Sequence, residues 1–388
     1  MLSPPEPAAS GLSVLFFLPS LGGGGAEMNA VRLAGGLQKN GVRLIFAVAR
    51  GPGSYACHLP EGVEVRVLDT GAIESSTLRM IRSVGPLAHL IDDIRPDVAV
   101  PVMAQPALAL LAAVRHSTHK PRVALSIQNT LNQRNRGVVA FLDNIECAMV
   151  RRMFPQADHV IALSKGVAND VVEAVPALRG LIDVVHNIGL PLSAQIAVPE
   201  PDLYPPTAGR IRFLACGRLV EQKGYPYLLE AFARVVKEQD AELHILGKGR
   251  LQGKLEVQAE RLGLARSVHF LGFCANPYLH MRAADVFVLS SLWEGFGNVI
   301  VEAMAMGTPV ISTDCPHGPN EIIINELNGL LVPPGDAAAL AGAMLRLADD
   351  TSLRERLAQA GQLRAQDFSA DRIAGEFAAV LRKLVLPV

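Results

Sequence analysis

The chain has 388 residues, of which 50% are hydrophobic and 19% are charged, and its formal net charge is -1 at pH 7. This length and composition can supply two sizeable cores, so we expect two domains. The nearly neutral charge excludes a general electrostatic attraction to nucleic acid. The five cysteines are scattered singly, with no C-x-x-C pair, which argues for a reducing compartment and against a disulfide framework or a zinc site.

The N-terminus offers no targeting signal that we recognise. Residues 1–12 contain an acid and several prolines but no basic segment, so we interpret them as a disordered lead rather than a signal peptide. No apolar run reaches the length of a membrane span, because the run at 108–114 is short and Arg115 ends it. We therefore expect a cytoplasmic protein, with peripheral contact to the cytoplasmic face of the membrane as a further option.

Apolar runs alternate with segments of helical periodicity over residues 13–190. Ser13–Pro19 predicts a buried strand, Gly22–Gly25 a glycine loop, Ala26–Lys39 a helix and Arg43–Ala49 a second strand. Further strands are predicted at 64–68, 98–103, 122–127 and 159–163. This alternation is typical of a mostly parallel sheet with helices on both faces, which predicts an N-terminal Rossmann-like domain.

One segment of this first domain combines basic and apolar residues. Asn132–Arg152 carries four arginines beside an apolar stripe. A basic amphipathic helix can bind anionic lipid or a pyrophosphate-linked acceptor. We favour the simpler interpretation of an ordinary domain helix whose charged side faces solvent.

A proline-rich stretch separates the two halves of the chain. Pro191–Gly209 contains five prolines and predicts a semi-rigid linker at 191–209. A second Rossmann-like domain is expected at 210–367, with strands at 210–216, 241–246, 268–271, 285–289, 309–312 and 328–332. Residues 368–388 form a separate amphipathic helix with an apolar stripe at Ile373, Phe377, Val380, Leu381 and Leu384.

Two carboxylates mark a candidate site in the second domain. Glu294 is predicted in the loop after the strand Asp285–Leu289, and Glu302 follows eight positions later on the next helix. Ligands of open parallel sheets bind outside the carboxyl ends of the strands. Gly295 and Gly297 allow the backbone to approach a ligand closely, and free amides at the helix start suit an anion.

Two cations occupy a comparable position earlier in this domain. Arg218 and Lys223 follow the predicted strand at 210–216 and precede a helix that begins at Tyr225. A guanidinium fork and an ammonium at the carboxyl end of a strand can hold an anionic group. No D-x-D motif of the metal-dependent type is present, so we expect no metal at this site.

Three stretches together resemble one family. Ser290–Ile311 resembles the E-x7-E element of retaining GT-B glycosyltransferases of family 4, also called glycosyl transferases group 1, which serve bacterial polysaccharide and lipid-linked oligosaccharide synthesis. Gly217–Gly224 is similar to the Gly-Arg and Lys-Gly element of that family, and Asp314–Glu321 to its C-P-x-G-P-x-E segment. The resemblance implies an α/β, GT-B fold, in which two doubly wound domains face a cleft and the C-terminal helix crosses back to the first domain.

The resemblance also implies roles for individual residues. Arg218 and Lys223 would hold the donor diphosphate, Glu294 the transferred sugar and Glu302 the ribose, with Arg218, Lys223 and Glu294 catalytic. Further donor contacts are implied at Gly24, Gly272, Phe273, Gly295, Phe296, Gly297, Asn298 and Val299. The nucleotide sugar is a substrate, so no cofactor is expected.

The acceptor side of the expected site depends on fewer residues. Gly23 lies in a turn similar to the GGAE-type turn of the family. In the stretch SIQNT, Gln128 occupies the position where relatives often carry a histidine, and Asn129 offers a polar contact. A glutamine can hydrogen-bond a sugar but cannot act as a general base.

The implied reaction is transfer of a hexose or N-acetylhexosamine from a nucleoside diphosphate sugar, expected to be UDP-linked, to a glycan or polyprenyl-linked saccharide, with retention. This places the enzyme in the synthesis of cell-surface polysaccharide such as lipopolysaccharide. One alternative is another GT-B reaction, such as sugar-nucleotide epimerisation or hydrolysis. A second is a nicotinamide-dependent dehydrogenase, although the first glycine loop lacks the G-x-G-x-x-G spacing. A third is a non-catalytic sugar-binding protein.

Overall fold

The computed structural model describes residues 11–22, 24–71, 73, 75–129, 138–189, 209–274 and 276–386. The chain divides into two compact units. The N-terminal unit comprises Met1–Asn187 together with Ala370–Val388, and the C-terminal unit comprises Ile188–Ser369. The predicted lead at 1–12 and the predicted linker at 191–209 lie almost wholly outside the described residues.

The N-terminal unit is built on one parallel sheet of seven strands in the order β3-β2-β1-β4-β5-β6-β7. Its strands are β1 (Ser13–Leu18), β2 (Arg43–Val48), β3 (Glu64–Val67), β4 (Val98–Pro101), β5 (Arg122–Ile127), β6 (His159–Ala162) and β7 (Ile182–Val184). The connecting helices are α1 (Gly25–Lys39), α2 (Ser76–Ile94), α3 (Ala104–His116), α4 (Val138–Met153) and α5 (Lys165–Ala174). The central strands are apolar throughout because helices cover both faces of the sheet.

The C-terminal unit repeats this plan with a six-stranded parallel sheet in the order β10-β9-β8-β11-β12-β13. Its strands are β8 (Ile211–Cys216), β9 (Ala241–Leu246), β10 (Val268–Gly272), β11 (Val286–Leu289), β12 (Val310–Thr313) and β13 (Leu330–Val332). Its helices are α6 (Tyr225–Val235), α7 (Gln252–Arg261), α8 (Tyr278–Ala283), α9 (Asn298–Ala305), α10 (Pro319–Ile322), α11 (Ala337–Asp349) and α12 (Thr351–Ala365).

Both sheets follow the doubly wound order, which confirms the predicted fold class. In the C-terminal sheet the first strand, β8, pairs with β9 on one side and with β11 on the other. The loops after β8 and β11 therefore leave the same edge of the sheet in opposite directions. Such a switch point opens a crevice between two loops and is where ligands bind in this class of sheet.

The last helix, α13 (Ala370–Val385), belongs to the N-terminal unit, as the predicted fold class required. Its Phe377 ring stacks on Phe16 of β1 with centroids 6.0 Å apart. A Cβ at Gly36 of α1 would collide with the Cβ of Ala374, so glycine permits the close approach of α1 and α13. Helix α13 thus contributes to the core of the N-terminal unit, although the rest of that unit ends at Asn187 and the helix begins only at Ala370.

Helix α4 carries part of the basic amphipathic segment predicted at 132–152. Arg134 and Arg136 lie outside the described residues. Within the described part, Ile145 and Met149 remain 44% and 42% exposed. Among the described residues no helix is both long enough and apolar enough to cross a membrane.

The packing of α13 generates a stability prediction. We expect Phe377→Ala to lower the free energy of unfolding of the N-terminal unit by about 3–5 kcal/mol, because it leaves a cavity beside Phe16. Urea denaturation with hydrogen exchange at the β1 amides measures this change. Leu363→Ala on α12, where the side chain is 76% exposed, is the control and should cost no more than about 0.5 kcal/mol. Equal effects of the two substitutions would contradict the packing of α13.

Candidate functional site

The loop after β8 is held close to the end of β11. A short 3-10 turn, Glu221–Lys223, precedes α6 and ends at Gly224, whose φ is +61°. A Cβ at Gly224 would collide with the carbonyl oxygen of Ser290. Glycine is therefore required both for the left-handed conformation and for the close approach. This contact brings Lys223 to the loop that follows β11.

An ion pair joins the two loops at this point. Lys223 Nζ lies 2.6 Å from Glu294 Oε1, and the two side chains are 14% and 8% exposed. Ser291 donates a second hydrogen bond of 2.6 Å to the same oxygen. Since Oε1 accepts both bonds, Oε2 of Glu294 is the oxygen left for a further donor. An ammonium has three N–H donors, so Lys223 can bind an anion while keeping Glu294.

Backbone hydrogen bonds fix the Glu294 loop from both sides. The Glu294 N–H donates to Pro316 O at 2.7 Å, and the His317 N–H donates to Glu294 O at 2.9 Å. On the other side the Leu292 N–H donates to Gln222 O at 2.7 Å, and the Gln222 side chain donates to Trp293 O. The carboxylate is thus positioned by main-chain contacts to two further loops of the same sheet edge.

Glu302 lies on α9 and is 8% exposed. Burial raises the pKa of the Cys216 thiol at the end of β8 to about 12, and the negative charge of Glu302 adds to this effect. Burial likewise raises the pKa of Cys315 to about 12, with a further contribution from Glu294. Both thiols are therefore protonated at neutral pH and unsuited to act as nucleophiles.

The residues at the start of α9 contribute through their backbone. Gly297 adopts φ +96°, and its carbonyl accepts from the Ile300 N–H at 2.9 Å. The N–H groups of Asn298 and Val299 lie in the first turn, where they take no part in the hydrogen bonds within the helix. Gly295 is buried. The ring of Phe296 is buried against Phe368 at 5.3 Å, so this predicted donor residue offers only its main chain.

The remaining donor-side predictions lie at the rim of the C-terminal unit. Gly272 ends β10 with φ +74°, and its carbonyl already accepts from the Gly247 N–H at 2.7 Å. Phe273 is 70% exposed. The Arg218 side chain is exposed and makes no hydrogen bond or ion pair with another residue that the structure describes. The structure thus brings Lys223 and Glu294 together, while the exposed Arg218 side chain bonds to neither of them.

Three of the predicted residues belong to the N-terminal unit, and a fourth, Gly23, lies outside the described residues. Gly24 precedes α1 in an extended conformation. Gln128 follows β5, and its Nε2 lies 3.0 Å from Ser126 Oγ. Its Oε1 is buried and has no hydrogen-bond partner among the residues that the structure describes. The Ser126 hydroxyl can both donate and accept, so it can bond to either the nitrogen or the oxygen of the Gln128 amide. Whichever of these two atoms faces the hydroxyl, the other has no partner among the described residues. Asn129 is exposed.

The N-terminal unit also contains a cavity of about 910 Å³ at the carboxyl ends of β2 and β3. Arg50, Asp69 and Arg79 contribute charged groups to its wall. The described residues that line it include none of the predicted site residues.

The sequence analysis missed the hydroxyl groups that support the ion pair. Ser291 is fully buried beneath Glu294, and Ser290 donates to the carbonyl of Lys223 at 2.8 Å. Tyr225 donates to the carbonyl of Gly217 at 3.1 Å. The serines could have been predicted from their position directly after an apolar strand, because ligands bind at that edge of a parallel sheet.

Two family models match the chain. The model described as "Glycosyltransferase Family 4" matches residues 23–188, and the model described as "Glycosyl transferases group 1" matches residues 205–364. One covers β2 to β7 of the N-terminal unit, and the other covers the loops that carry Lys223 and Glu294 and the helix that carries Glu302. The chain belongs to the family 4 glycosyltransferases with the GT-B fold.

Two curated relatives illustrate the similarity. The chain is 34% identical over 229 residues to the lipopolysaccharide core biosynthesis glycosyltransferase LpsE of Rhizobium meliloti, covering 59% of this chain and 65% of LpsE. It is 30% identical over 233 residues to the N-acetylgalactosamine-N,N'-diacetylbacillosaminyl-diphospho-undecaprenol 4-alpha-N-acetylgalactosaminyltransferase of Campylobacter jejuni, covering 58% and 60% of the two chains. The chain thus spans about half to two thirds of the length of the curated relatives it matches.

The fold is shared by solved structures at lower identity. HepE of Anabaena, crystallised with UDP and glucose, is 22% identical and superimposes with a TM-score of 0.77 over 95% of this chain and 99% of its own. WaaG, a glycosyltransferase involved in lipopolysaccharide biosynthesis, superimposes with a TM-score of 0.74 at 16% identity. These similarities confirm the GT-B architecture of the chain.

A double-mutant cycle tests the strength of the central ion pair. Lys223→Met and Glu294→Gln each leave one partner buried without its counter-charge, so the double variant should be less destabilised than the sum of the two. We expect a coupling energy of about 1–3 kcal/mol from denaturant unfolding. The pair Arg346–Glu326, with both side chains 48% exposed, is the matched control and should give about 0.2–1 kcal/mol. A coupling no larger than that of the control would contradict a functional pairing across the loops.

Proposed function

We propose that the protein is a retaining glycosyltransferase that moves a hexose or N-acetylhexosamine from a UDP-sugar to a glycan or lipid-linked saccharide in cell-surface polysaccharide synthesis. The observation that carries this proposal is the buried pair of Lys223 and Glu294 at the switch point of the C-terminal sheet. Its ammonium fits an anionic diphosphate, and its carboxylate fits the hydroxyl groups of a sugar.

The proposed donor site assigns one task to each buried charge. Lys223 uses one N–H for Glu294 and offers the others to the oxygens of the donor diphosphate. Glu294 Oε2 accepts from a hydroxyl of the transferred sugar, since Oε1 is occupied by Lys223 and Ser291. Glu302 accepts from the ribose, and the N-terminal end of α9, whose helix dipole favours an anion, approaches the donor phosphate or sugar.

Arg218 supplies the second cation in this proposal. Its exposed guanidinium lies on the same loop as Lys223 and can turn toward a diphosphate. A guanidinium binds two phosphate oxygens at once, whereas the ammonium acts as a point charge. Together they balance the negative charge that develops on the leaving nucleoside diphosphate, which is the task a metal ion performs in other transferases.

The proposed reaction forms one bond and breaks one bond at the anomeric carbon. The bond to the diphosphate oxygen breaks, and the acceptor hydroxyl oxygen bonds to the same face of the carbon, which retains the configuration. The acceptor proton passes to an oxygen of the leaving diphosphate. Neither buried thiol offers an enzymatic nucleophile, because burial raises the pKa of both Cys216 and Cys315. Product NMR at the anomeric position tests retention.

The acceptor is proposed to contact the N-terminal unit near Gln128. The buried, unsatisfied atom of its amide can bind one acceptor hydroxyl, and a buried polar atom without a partner costs free energy until it is paired. Gln128 cannot take the acceptor proton, which is consistent with transfer of that proton to the diphosphate. A role in acceptor binding therefore fits the replacement of the histidine common at this position.

The relatives support the proposed substrate class. HepE was crystallised with UDP and glucose, which supports a UDP-sugar donor. The Campylobacter relative is named for an acceptor joined to diphospho-undecaprenol, and LpsE for lipopolysaccharide core biosynthesis. A lipid-linked acceptor would bring the protein to the cytoplasmic membrane face, so we propose a cytoplasmic location with peripheral membrane contact.

Binding across uridine, guanosine and adenosine diphosphates tests the donor proposal, and we expect uridine diphosphate to bind most tightly.

Lys223→Ala should lower kcat for transfer by about a hundredfold to a thousandfold, because it removes a donor that stabilises charge in the transition state. The control is Lys254→Ala, an exposed lysine on α7, which should transfer normally. Normal turnover by Lys223→Ala would overturn the diphosphate assignment. Hydrolysis or epimerisation of the sugar nucleotide with no dependence on any acceptor would favour the alternative GT-B reactions.

A second kinetic prediction concerns the acceptor. Gln128→Leu removes one neutral hydrogen bond of about 0.5–1.5 kcal/mol, so KM for the acceptor should rise by up to about tenfold. KM for the donor should not change, because Gln128 is proposed to contact only the acceptor. Gln362→Leu replaces an exposed glutamine on α12 and is the control. An effect of Gln128→Leu on donor KM alone would refute an acceptor role.

A further inference from the structure

A cluster of polar side chains lies on one face of the C-terminal sheet and is not used by the proposed reaction. Glu242 and His244 are two residues apart on β9, so both point to the same face. His269 on β10 is the register partner of His244, and Arg212 on β8 is the register partner of Glu242. Pairing in a parallel sheet therefore places all four side chains on one surface.

Three of these side chains converge on one point. Glu242, His244 and His269 each offer a ligand atom, and these atoms lie within 4.8 Å of one another. His244 Nε2 is 3.4 Å from Glu242 Oε1. Two ligands of a tetrahedral zinc ion with bonds of about 2.1 Å are about 3.4 Å apart. The rings of His244 and His269 are nearly perpendicular, with centroids 5.2 Å apart.

The cluster is largely shielded from water. Glu242 and His244 are 6% and 7% exposed, and His269 is half-buried. Burial lowers the pKa of His244 to about 4, although the Glu242 carboxylate opposes this shift. The imidazole of His244 is thus neutral at pH 7, the form that ligates metals. His280 on α8 is close enough to influence the pKa of His244.

Arg212 pairs with the same Glu242 oxygen that faces His244. Its Nε lies 2.6 Å from Glu242 Oε1, and its Nη1 donates to Ala283 O at 3.3 Å. This ion pair compensates the buried charge of the carboxylate. Carboxylates that bind metals are commonly hydrogen-bonded by a neighbouring group that orients them. Arg212 can fill that role, while its positive charge weakens the attraction for a cation.

We propose that Glu242, His244 and His269 form a binding site for a divalent transition-metal ion of the zinc type. Imidazole nitrogens with one carboxylate oxygen suit zinc, copper, nickel and iron rather than magnesium or calcium. The ion cross-links β9 to β10 by coordinating side chains from both strands. The cluster lies before the ends of these strands, whereas the proposed donor contacts follow the strand ends, so the ion has a structural role.

Zinc titration of the chelator-treated full-length protein tests this site. We expect one equivalent of zinc to bind, with a rise in Tm. The double variant His244→Ala/His269→Ala should bind zinc about tenfold to a hundredfold more weakly or not at all. The control is His58→Ala/His89→Ala, which removes two exposed histidines and should leave affinity unchanged. Equal zinc binding by wild-type and His244→Ala/His269→Ala proteins would overturn the proposal.

A second measurement does not depend on folding of the variant. X-ray absorption of the wild-type protein loaded with one equivalent of zinc should show two imidazole ligands among nitrogen and oxygen neighbours. A spectrum with no imidazole, or no stoichiometric binding at all, would overturn the proposed site. Neither readout uses transferase activity, so failure here would leave the proposed glycosyl transfer untouched.

Discussion

The salt bridge between Lys223 and Glu294 connects two loops that lie 71 residues apart in the chain. Each partner makes the burial of the other tolerable, because an isolated charge at such a position would cost several kcal/mol. Ser291 adds a hydrogen bond to the same oxygen, and the Glu294 backbone is bonded to the Pro316–His317 segment. Glu294 therefore joins three loops of the C-terminal sheet edge, one through its ion pair and one through its backbone hydrogen bonds.

Backbone packing at the same edge is equally restrictive. A Cβ at Gly247 would collide with Gly217, and a Cβ at Gly249 would collide with Leu219. The loops after β8 and β9 consequently touch through main-chain atoms and leave no room for a side chain between them.

The sequence predicted the elements of both sheets because alternation of apolar strands with amphipathic helices is a local property. It also predicted that Lys223 and Glu294 lie in loops after strands and that Glu302 lies on the next helix. The support by Ser291 was missed, since a serine has no distinctive spacing. The burial of the Phe296 ring was missed because its partner, Phe368, lies 72 positions further along the chain and only packing brings the two together.

The histidine cluster shows a different kind of failure. His244 and His269 are 25 positions apart and match no metal-binding spacing, so the pattern of the sequence gave no reason to pair them. Their proximity depends on the register between β9 and β10. A shift of one residue would turn one imidazole to the opposite face of the sheet. Long-range register therefore decides whether the cluster exists, and it can be determined only from the folded sheet.

The insertion of the C-terminal unit within the N-terminal unit has a consequence for synthesis on the ribosome. Residues 1–187 emerge first, but the helix that stacks on Phe16 and packs against Gly36 is translated only after residue 369. During that interval the nascent N-terminal unit exposes the apolar surface that α13 later covers. The inserted unit, being continuous in sequence, can complete its own sheet before the unit that precedes it is closed.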